Sequence, residues 1–160
     1  MAKRKVFISF HHKNEQKVVD EFVEKFSEDY EVFTDGSLED AADSDDSEYL
    51  NQVCREAIDG TSVTIVLIGS QTGCRKFIDW EIRYTLYLKH GLVAISRPSL
   101  TDLEACLPER LKDNRKSGYA KWYIYPIDAS FLKTIIEEAF NADSGKIDNS
   151  RDKMGKNTAC

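Results

Sequence analysis

"SVTIVLIG", residues 62–69, is the most continuously apolar stretch of the chain. A half-exposed strand alternates apolar and polar side chains, whereas a strand covered on both faces is apolar at nearly every position. Strands of the second kind occur in parallel sheets with helices packed on both sides. The stretch therefore predicts an α/β fold, and we place it at the centre of the sheet.

Segments with the character of strands and helices alternate on both sides of this stretch. Further strands are predicted at "KVFISF" (5–10), "YEVFTD" (30–35), "GLVAIS" (91–96) and "KWYIYPI" (121–127). Apolar residues at helical spacing follow in "NEQKVVDEFVEKF" (14–26), "YLNQVCREAIDG" (49–60), the segment around residue 81 and residues 129–140. This alternation predicts a flavodoxin-like, doubly wound five-stranded parallel sheet of order 2-1-3-4-5.

The domain boundary is predicted near residue 140. Residues 1–140 carry the alternating pattern and are long enough for one domain with a single core. Residues 141–160, "NADSGKIDNSRDKMGKNTAC", have almost no apolar content. A segment of that composition has too little apolar surface to pack, so we expect a mobile C-terminal tail.

Charge and hydropathy exclude several partners. The net charge of −6 leaves no basic field for nucleic acid. No apolar run approaches the roughly 18 residues of a membrane span, and "MAKRKVFISF" lacks the apolar core of a secretory signal. We therefore expect a cytoplasmic protein. The four cysteines form no paired motif, so we expect reduced thiols and no metal site.

Two loops are the predicted position of a ligand. With strand order 2-1-3-4-5, the chain reverses direction between strands 1 and 3, and ligands bind beyond the carboxyl ends of those strands. The loops there are "HHKN" (11–14) and "GSQTGCRK" (69–76), and small residues in the second let backbone amides approach a phosphate. The alternative is that Gly69, Ser70 and Gly73 only form a turn and cap a helix.

A carboxylate within "CRKFIDWEI" (74–82) is unusual for its surroundings. On a helix, Glu81 lies beside residues 77, 78, 84 and 85, which are Phe, Ile, Tyr and Thr, so no local cation pairs with it. Either Glu81 serves a ligand, with Phe77 one turn earlier placed to stack beside it, or it points into solvent from the rim of the apolar face.

Four quoted segments resemble one family. "KVFISF", "FTDGS" (33–37), "TSVTIVLIGSQT" (61–72) and "FIDWEI" (77–82) look like a bacterial TIR (Toll/interleukin receptor) domain. The resemblance covers about residues 4–96 and is closest to the TIR-like branch of the Thoeris anti-phage defence system. One position departs from the family: Phe77 stands where such proteins often have tryptophan, and Trp80 adjoins the glutamate instead.

The resemblance implies an enzyme that cleaves NAD+, with Glu81 as its catalytic residue. It implies a cleft lined by the loops after strands 1 and 3, and we take as candidate substrate-binding residues Phe10, His11, Asp35, Ser70 and Phe77. NAD+ would be substrate, with no bound cofactor and no metal. The product would be a cyclic ADP-ribose-type signal that activates a partner effector.

The segment after strand 2, residues 36–47, corresponds to the BB loop of the family. The resemblance implies that this loop is mobile, controls ligand access and supports self-association. Two alternatives to the proposed enzyme stay open. One is a TIR-type interaction module without catalysis; the other is a nucleoside or deoxyribosyl transferase that uses the same cleft.

Overall fold

A computed structural model describes residues 3–34, 52, 55–98, 100 and 106–159, with only the backbone described at residues 12 and 13. It contains a sheet of five strands, which are β1 (Arg4–Ser9), β2 (Tyr30–Thr34), β3 (Val63–Ile68), β4 (Gly91–Ser96) and β5 (Lys121–Ile124). All neighbours pair in parallel, and the order is β2-β1-β3-β4-β5. The predicted fold and strand order are confirmed.

Burial across the sheet explains the sequence pattern. β3 and β4 are buried at every residue, as the continuous apolar runs predict. The edge strands β2 and β5 are partly exposed and carry polar residues. In the register of the sheet, Ser9 at the end of β1 lies opposite Val66 of β3. The carboxyl ends of β1 and β3 therefore form a shared edge, where a ligand is expected.

Helices cover both faces of the sheet and create two apolar clusters. Four α-helices have both ends within the described residues: α1 (His12–Phe26), α2 (Lys76–Tyr87), α3 (Glu109–Ser117) and α4 (Ala129–Phe140). Residues 52 and 55–59 are also helical, within the helix predicted at 49–60. The first cluster joins α1 and α4 to alternate residues of the central strands, such as Val6 and Ile8 of β1. The second joins α2 and α3 to Val66 and Ile68 of β3. Helix α2 therefore packs on the opposite face of the sheet from α1.

The C-terminal segment departs from the prediction of an unpacked tail. Apart from the 3-10 turn Ser144–Lys146, residues 141–159 are irregular, yet they lie against α2 and α3. Polar groups carry this contact, in the pairs Arg110 Nη1–Asn149 Oδ1, Asn114 Nδ2–Asp148 O, Trp80 Nε1–Met154 O and Met154 N–Asp79 Oδ2. Composition indicated too little apolar surface to pack, but the segment docks by hydrogen bonds to buried polar side chains.

The described cysteines differ in their bonding state. Cys74 is disulfide-bonded, which corrects the expectation of reduced thiols, while Cys106 is free and buried. Spacing could not show this, because pairing depends on which cysteines the fold brings together.

In the described part of the chain, no helix is both long enough and apolar enough to cross a membrane. Asp35 and the loop 36–47 lie outside the described residues.

Candidate active site

Glu81 forms the centre of the candidate site, and it is completely buried. Its Oε1 atom accepts a hydrogen bond of 2.7 Å from Ser9 Oγ, at the carboxyl end of β1. Side chains alternate along a strand, and Val6 and Ile8 face α1, so Ser9 faces α2. The alternative that Glu81 points into solvent is wrong, because the helix carries its carboxylate inward to the edge of the sheet.

The backbone of α2 is fixed to the sheet at Glu81. Thr85 Oγ1 lies 2.8 Å from the Glu81 carbonyl oxygen and 2.7 Å from Thr64 Oγ1 of β3. One turn before Glu81, Phe77 packs in the apolar cluster between α2 and β3. These contacts hold the helix from the side that faces the sheet, so the Glu81 carboxylate has little freedom to move along the strand direction.

A hydrogen bond within the loop after β3 closes a tight turn. The backbone N–H of Gly69 donates to Thr72 Oγ1 at 2.7 Å, at the start of the 3-10 turn Thr72–Cys74. A Cβ atom at position 69 would come within 1.8 Å of Glu15 Oε1, so any other residue there would require the Glu15 side chain to shift. Gly69 therefore leaves space for the Glu15 carboxylate and forms the turn, which supports the turn-forming alternative for this residue.

Glu15 is a second buried carboxylate at the same edge of the sheet. It lies in the first turn of α1, is 1% exposed, and pairs with Arg97 after β4, with 3.1 Å between Arg97 Nε and Glu15 Oε2. Burial raises the pKa of Glu15, and the nearby positive charge of Arg97 lowers it in part. This pair joins α1 to the end of β4 above Gly69.

The predicted substrate-binding residues occupy unlike environments. Phe10 and Phe77 are both buried, but Phe10 packs in the cluster beneath α1 and Phe77 in the cluster beneath α2. His11 precedes α1 and is buried, whereas Ser70 is exposed in the loop after β3. The structure therefore places Phe10 and Phe77 on opposite faces of the sheet and does not bring them together.

Two polar residues at this edge were missed from the sequence. Ser9 ends an apolar strand, and a single hydroxyl at the carboxyl end of a buried strand was the available signal. Glu15 lies among other charged residues of "HHKNEQK", and nothing local separates a buried acid from an exposed one there. Among the residues that the structure describes, no group of three His, Cys, Asp or Glu side chains could hold a metal ion.

The arrangement suits stabilisation of positive charge. A carboxylate in a water-poor environment interacts strongly with a developing cation, and a hydrogen bond from a fixed hydroxyl restricts its orientation. Both groups lie at the carboxyl edge of the parallel sheet, where α/β domains bind ligands. The fold and this edge define a TIR-like α/β domain with a buried carboxylate at its centre.

The family follows from a direct match. Residues 7–102 match the family model described as Thoeris protein ThsB, TIR-like domain. Because the match spans more than half of the chain, the protein belongs to this family, and the predicted resemblance is confirmed. The family makes it a TIR-like protein of anti-phage defence, which implies a partner effector. A search of curated proteins found no match.

Proposed function

We propose that this protein cleaves the bond between nicotinamide and ribose in NAD+ and converts the remainder into a cyclic ADP-ribose-type signal for a partner effector. The observation that carries the proposal is the buried Glu81 carboxylate, held by Ser9 at the carboxyl edge of the sheet. A TIR-type interaction module without catalysis has no need of a carboxylate fixed in that position.

The chemistry requires one anion. As the bond between nicotinamide and ribose breaks, positive charge grows on the ribose and a neutral pyridine leaves, so no acid has to protonate the leaving group. Most glycosidases, by contrast, need two carboxyl groups. Glu81 stabilises the ribosyl cation, and Ser9 keeps its carboxylate in a fixed orientation.

The group that attacks the ribosyl cation determines which product forms. A nitrogen of the adenine or a hydroxyl of the second ribose attacks the cationic carbon, and the ring closes with loss of a proton when the hydroxyl attacks. Attack by water instead yields linear ADP-ribose. A site that excludes water favours the cyclic product.

Complete burial of Glu81 adds a condition. NAD+ reaches the carboxylate only if part of its surroundings moves aside, so the described arrangement corresponds to a closed cleft. In the open form, Ser70 and the amides after β3 would lie near the diphosphate, and Phe77 and His11 near the sugar and base. We also propose Phe10 and Asp35 as substrate-binding residues. Self-association through residues 36–47 is likewise proposed.

Chromatography with mass detection of NAD+ incubated with the protein tests the proposal. The protein is supplied both purified and in lysate from infected cells that express it, because activity can require an infection-derived trigger. We expect nicotinamide and a cyclic product from the parent chain and neither from Glu81→Gln. Glu15→Gln, which removes the other buried carboxylate at this edge, is the matched control and should keep activity.

The products also separate the alternatives. Exchange of the base without ring closure would support the transferase. An absence of nicotinamide release in infected lysate, with folded protein present, would support the interaction module and contradict the proposal.

A further inference from the structure

Residues 148–158, here called the C-terminal clamp, lie outside the family match and cross the outer side of α2. Five hydrogen bonds join the clamp to this helix and the turn before it: Lys76 N–Asn157 Oδ1 (2.9 Å), Met154 N–Asp79 Oδ2 (2.9 Å), Trp80 Nε1–Met154 O (2.7 Å), Thr158 N–Cys74 O (2.9 Å) and Asn149 Nδ2–Arg83 O (3.1 Å). The clamp therefore lies along the helix from Lys76, its first residue, to Arg83, two positions beyond Glu81.

Asn157 supplies a cap that the helix lacks locally. The first N–H groups of an α-helix have no partner within the helix, and a polar side chain at the N-cap position usually accepts from one of them. In α2 the N-cap residue is Arg75, whose side chain makes no capping bond. Asn157, 81 positions along the chain, accepts from the Lys76 N–H instead.

Arg110 of α3 connects the clamp to α2 from below. Its side chain is completely buried, and its Nε atom donates to Asp79 Oδ1 at 2.9 Å. The same guanidinium donates to Asn149 Oδ1 at 2.9 Å and to the Asp152 carbonyl at 3.1 Å. Clamp and helix thus share one buried cation, and displacement of the clamp would remove two of its acceptors, Asn149 Oδ1 and the Asp152 carbonyl.

The clamp holds the side of α2 that faces away from Glu81. Two residues of an α-helix correspond to about 200° of rotation, so Asp79 points almost opposite to Glu81. Ser9 and Thr64 form hydrogen bonds with the side of α2 that faces the sheet. The clamp forms hydrogen bonds with the opposite side of the helix. All residues from 76 to 82 are consequently buried.

We propose that the C-terminal clamp is part of the catalytic unit, and that Asn157 is a positioning residue that fixes α2 and thereby the Glu81 carboxylate. The proposal rests on the proposed function, because it assigns the clamp an effect on the reaction of Glu81. The proposal assigns a role in the reaction to residues that lie outside the family match over residues 7–102.

The test compares three variants of the full chain. Asn157→Ala removes the cap, and Asn157→Asp keeps an acceptor and adds a charge that suits a helix N-terminus. Asn141→Ala is the control, since Asn141 Nδ2 donates to Glu137 O of α4 and not to α2 among the described residues. Hydrogen exchange of the α2 amides is measured on the protein alone. kcat and KM for NAD+ are measured with the trigger present.

We expect Asn157→Ala to speed exchange of the Lys76–Asp79 amides about fivefold, the effect of losing one cap. kcat should fall at least about tenfold with KM little changed, because misplacement of a reacting group lowers the rate more than binding. Asn157→Asp should restore both quantities, and Asn141→Ala should change neither.

Two results would overturn the clamp proposal. Unchanged exchange in Asn157→Ala would show that the cap does not hold the helix. Faster exchange with an unchanged kcat would reduce the clamp to a purely structural role. A parent chain that forms no product would instead contradict the proposed function, while the exchange data would still decide whether Asn157 holds α2.

Discussion

The hydrogen bond between Ser9 and Glu81 joins two elements that are 72 residues apart. Ser9→Ala should destabilise the protein by about 1.5–3 kcal/mol, because a buried carboxylate loses a donor. In a Glu81→Gln background the same substitution should cost only about 1 kcal/mol, since the bond then joins neutral groups. Thermal unfolding of the two single variants and the double variant measures this coupling, and equal costs in both backgrounds would contradict it.

Glu15 gives a pH-dependent prediction. Its pKa is raised by burial, so the folded protein binds this proton more tightly than the unfolded chain does. The resulting stability is present below the unfolded pKa of 4.5 and is lost as pH rises through the folded pKa. Glu15→Gln should therefore raise the melting temperature at pH 7, and the gain should disappear below about pH 4.

Melting curves of Glu15→Gln and the parent chain across that pH range are the measurement. A lower melting temperature of Glu15→Gln at pH 7 would show that attraction to Arg97 outweighs the cost of burial.

Residues differ in how far the sequence predicts their role. Glu81 stands out because it lies on an apolar helical face and the positions three and four residues from it carry no Lys or Arg. Its partner Ser9 does not, because the contact depends on how α2 lies over β1. Glu15 was missed for the same reason, since Gly69 and Arg97 reach it only through the folded sheet.

Helix α2 carries Glu81, and its outer side is held by a buried ion pair between Asp79 and Arg110. Arg110→Met removes the cation and leaves the carboxylate buried, so it should destabilise the protein by about 3–5 kcal/mol. Arg151→Met is the matched control, because Arg151 also pairs with an aspartate, Asp113, but is 42% exposed.

The control should cost less than about 1 kcal/mol. Denaturant unfolding of both variants checks the difference, and similar losses for the two would show that the Asp79–Arg110 pair is not special.

At the scale of elements, the sequence predicts strands better than the segments that follow them. Each of the five strands was recognised from a short apolar run, and the all-buried β3 and β4 were the clearest. Helix α3 is not predicted by the sequence, because its buried positions include Arg110 and Asn114 rather than an apolar stripe. Periodicity of apolar residues cannot reveal a helix that packs through polar groups.

The whole molecule includes the C-terminal segment that composition suggested was dispensable. A chain that ends at residue 142 loses the partners of Arg110, Asn114 and Trp80. Loss of these acceptors from buried donors should cost at least about 3–5 kcal/mol and lower the melting temperature by roughly 10 °C or more. Calorimetry of the shortened and full chains is the measurement. Equal melting temperatures would show that residues 141–160 add nothing to stability and would support the mobile tail that their composition predicts.

The most direct test of the account is the rate of nicotinamide release from NAD+ by Glu81→Gln relative to the parent chain, with melting temperature recorded for both. Gln keeps the size of the side chain and an acceptor for Ser9 but removes the charge, so the melting temperature should change little. Loss of the anion should raise the barrier by about 3–4 kcal/mol, which is a rate loss of roughly 100-fold to 1000-fold. A folded Glu81→Gln protein that releases nicotinamide at the parental rate would contradict the account.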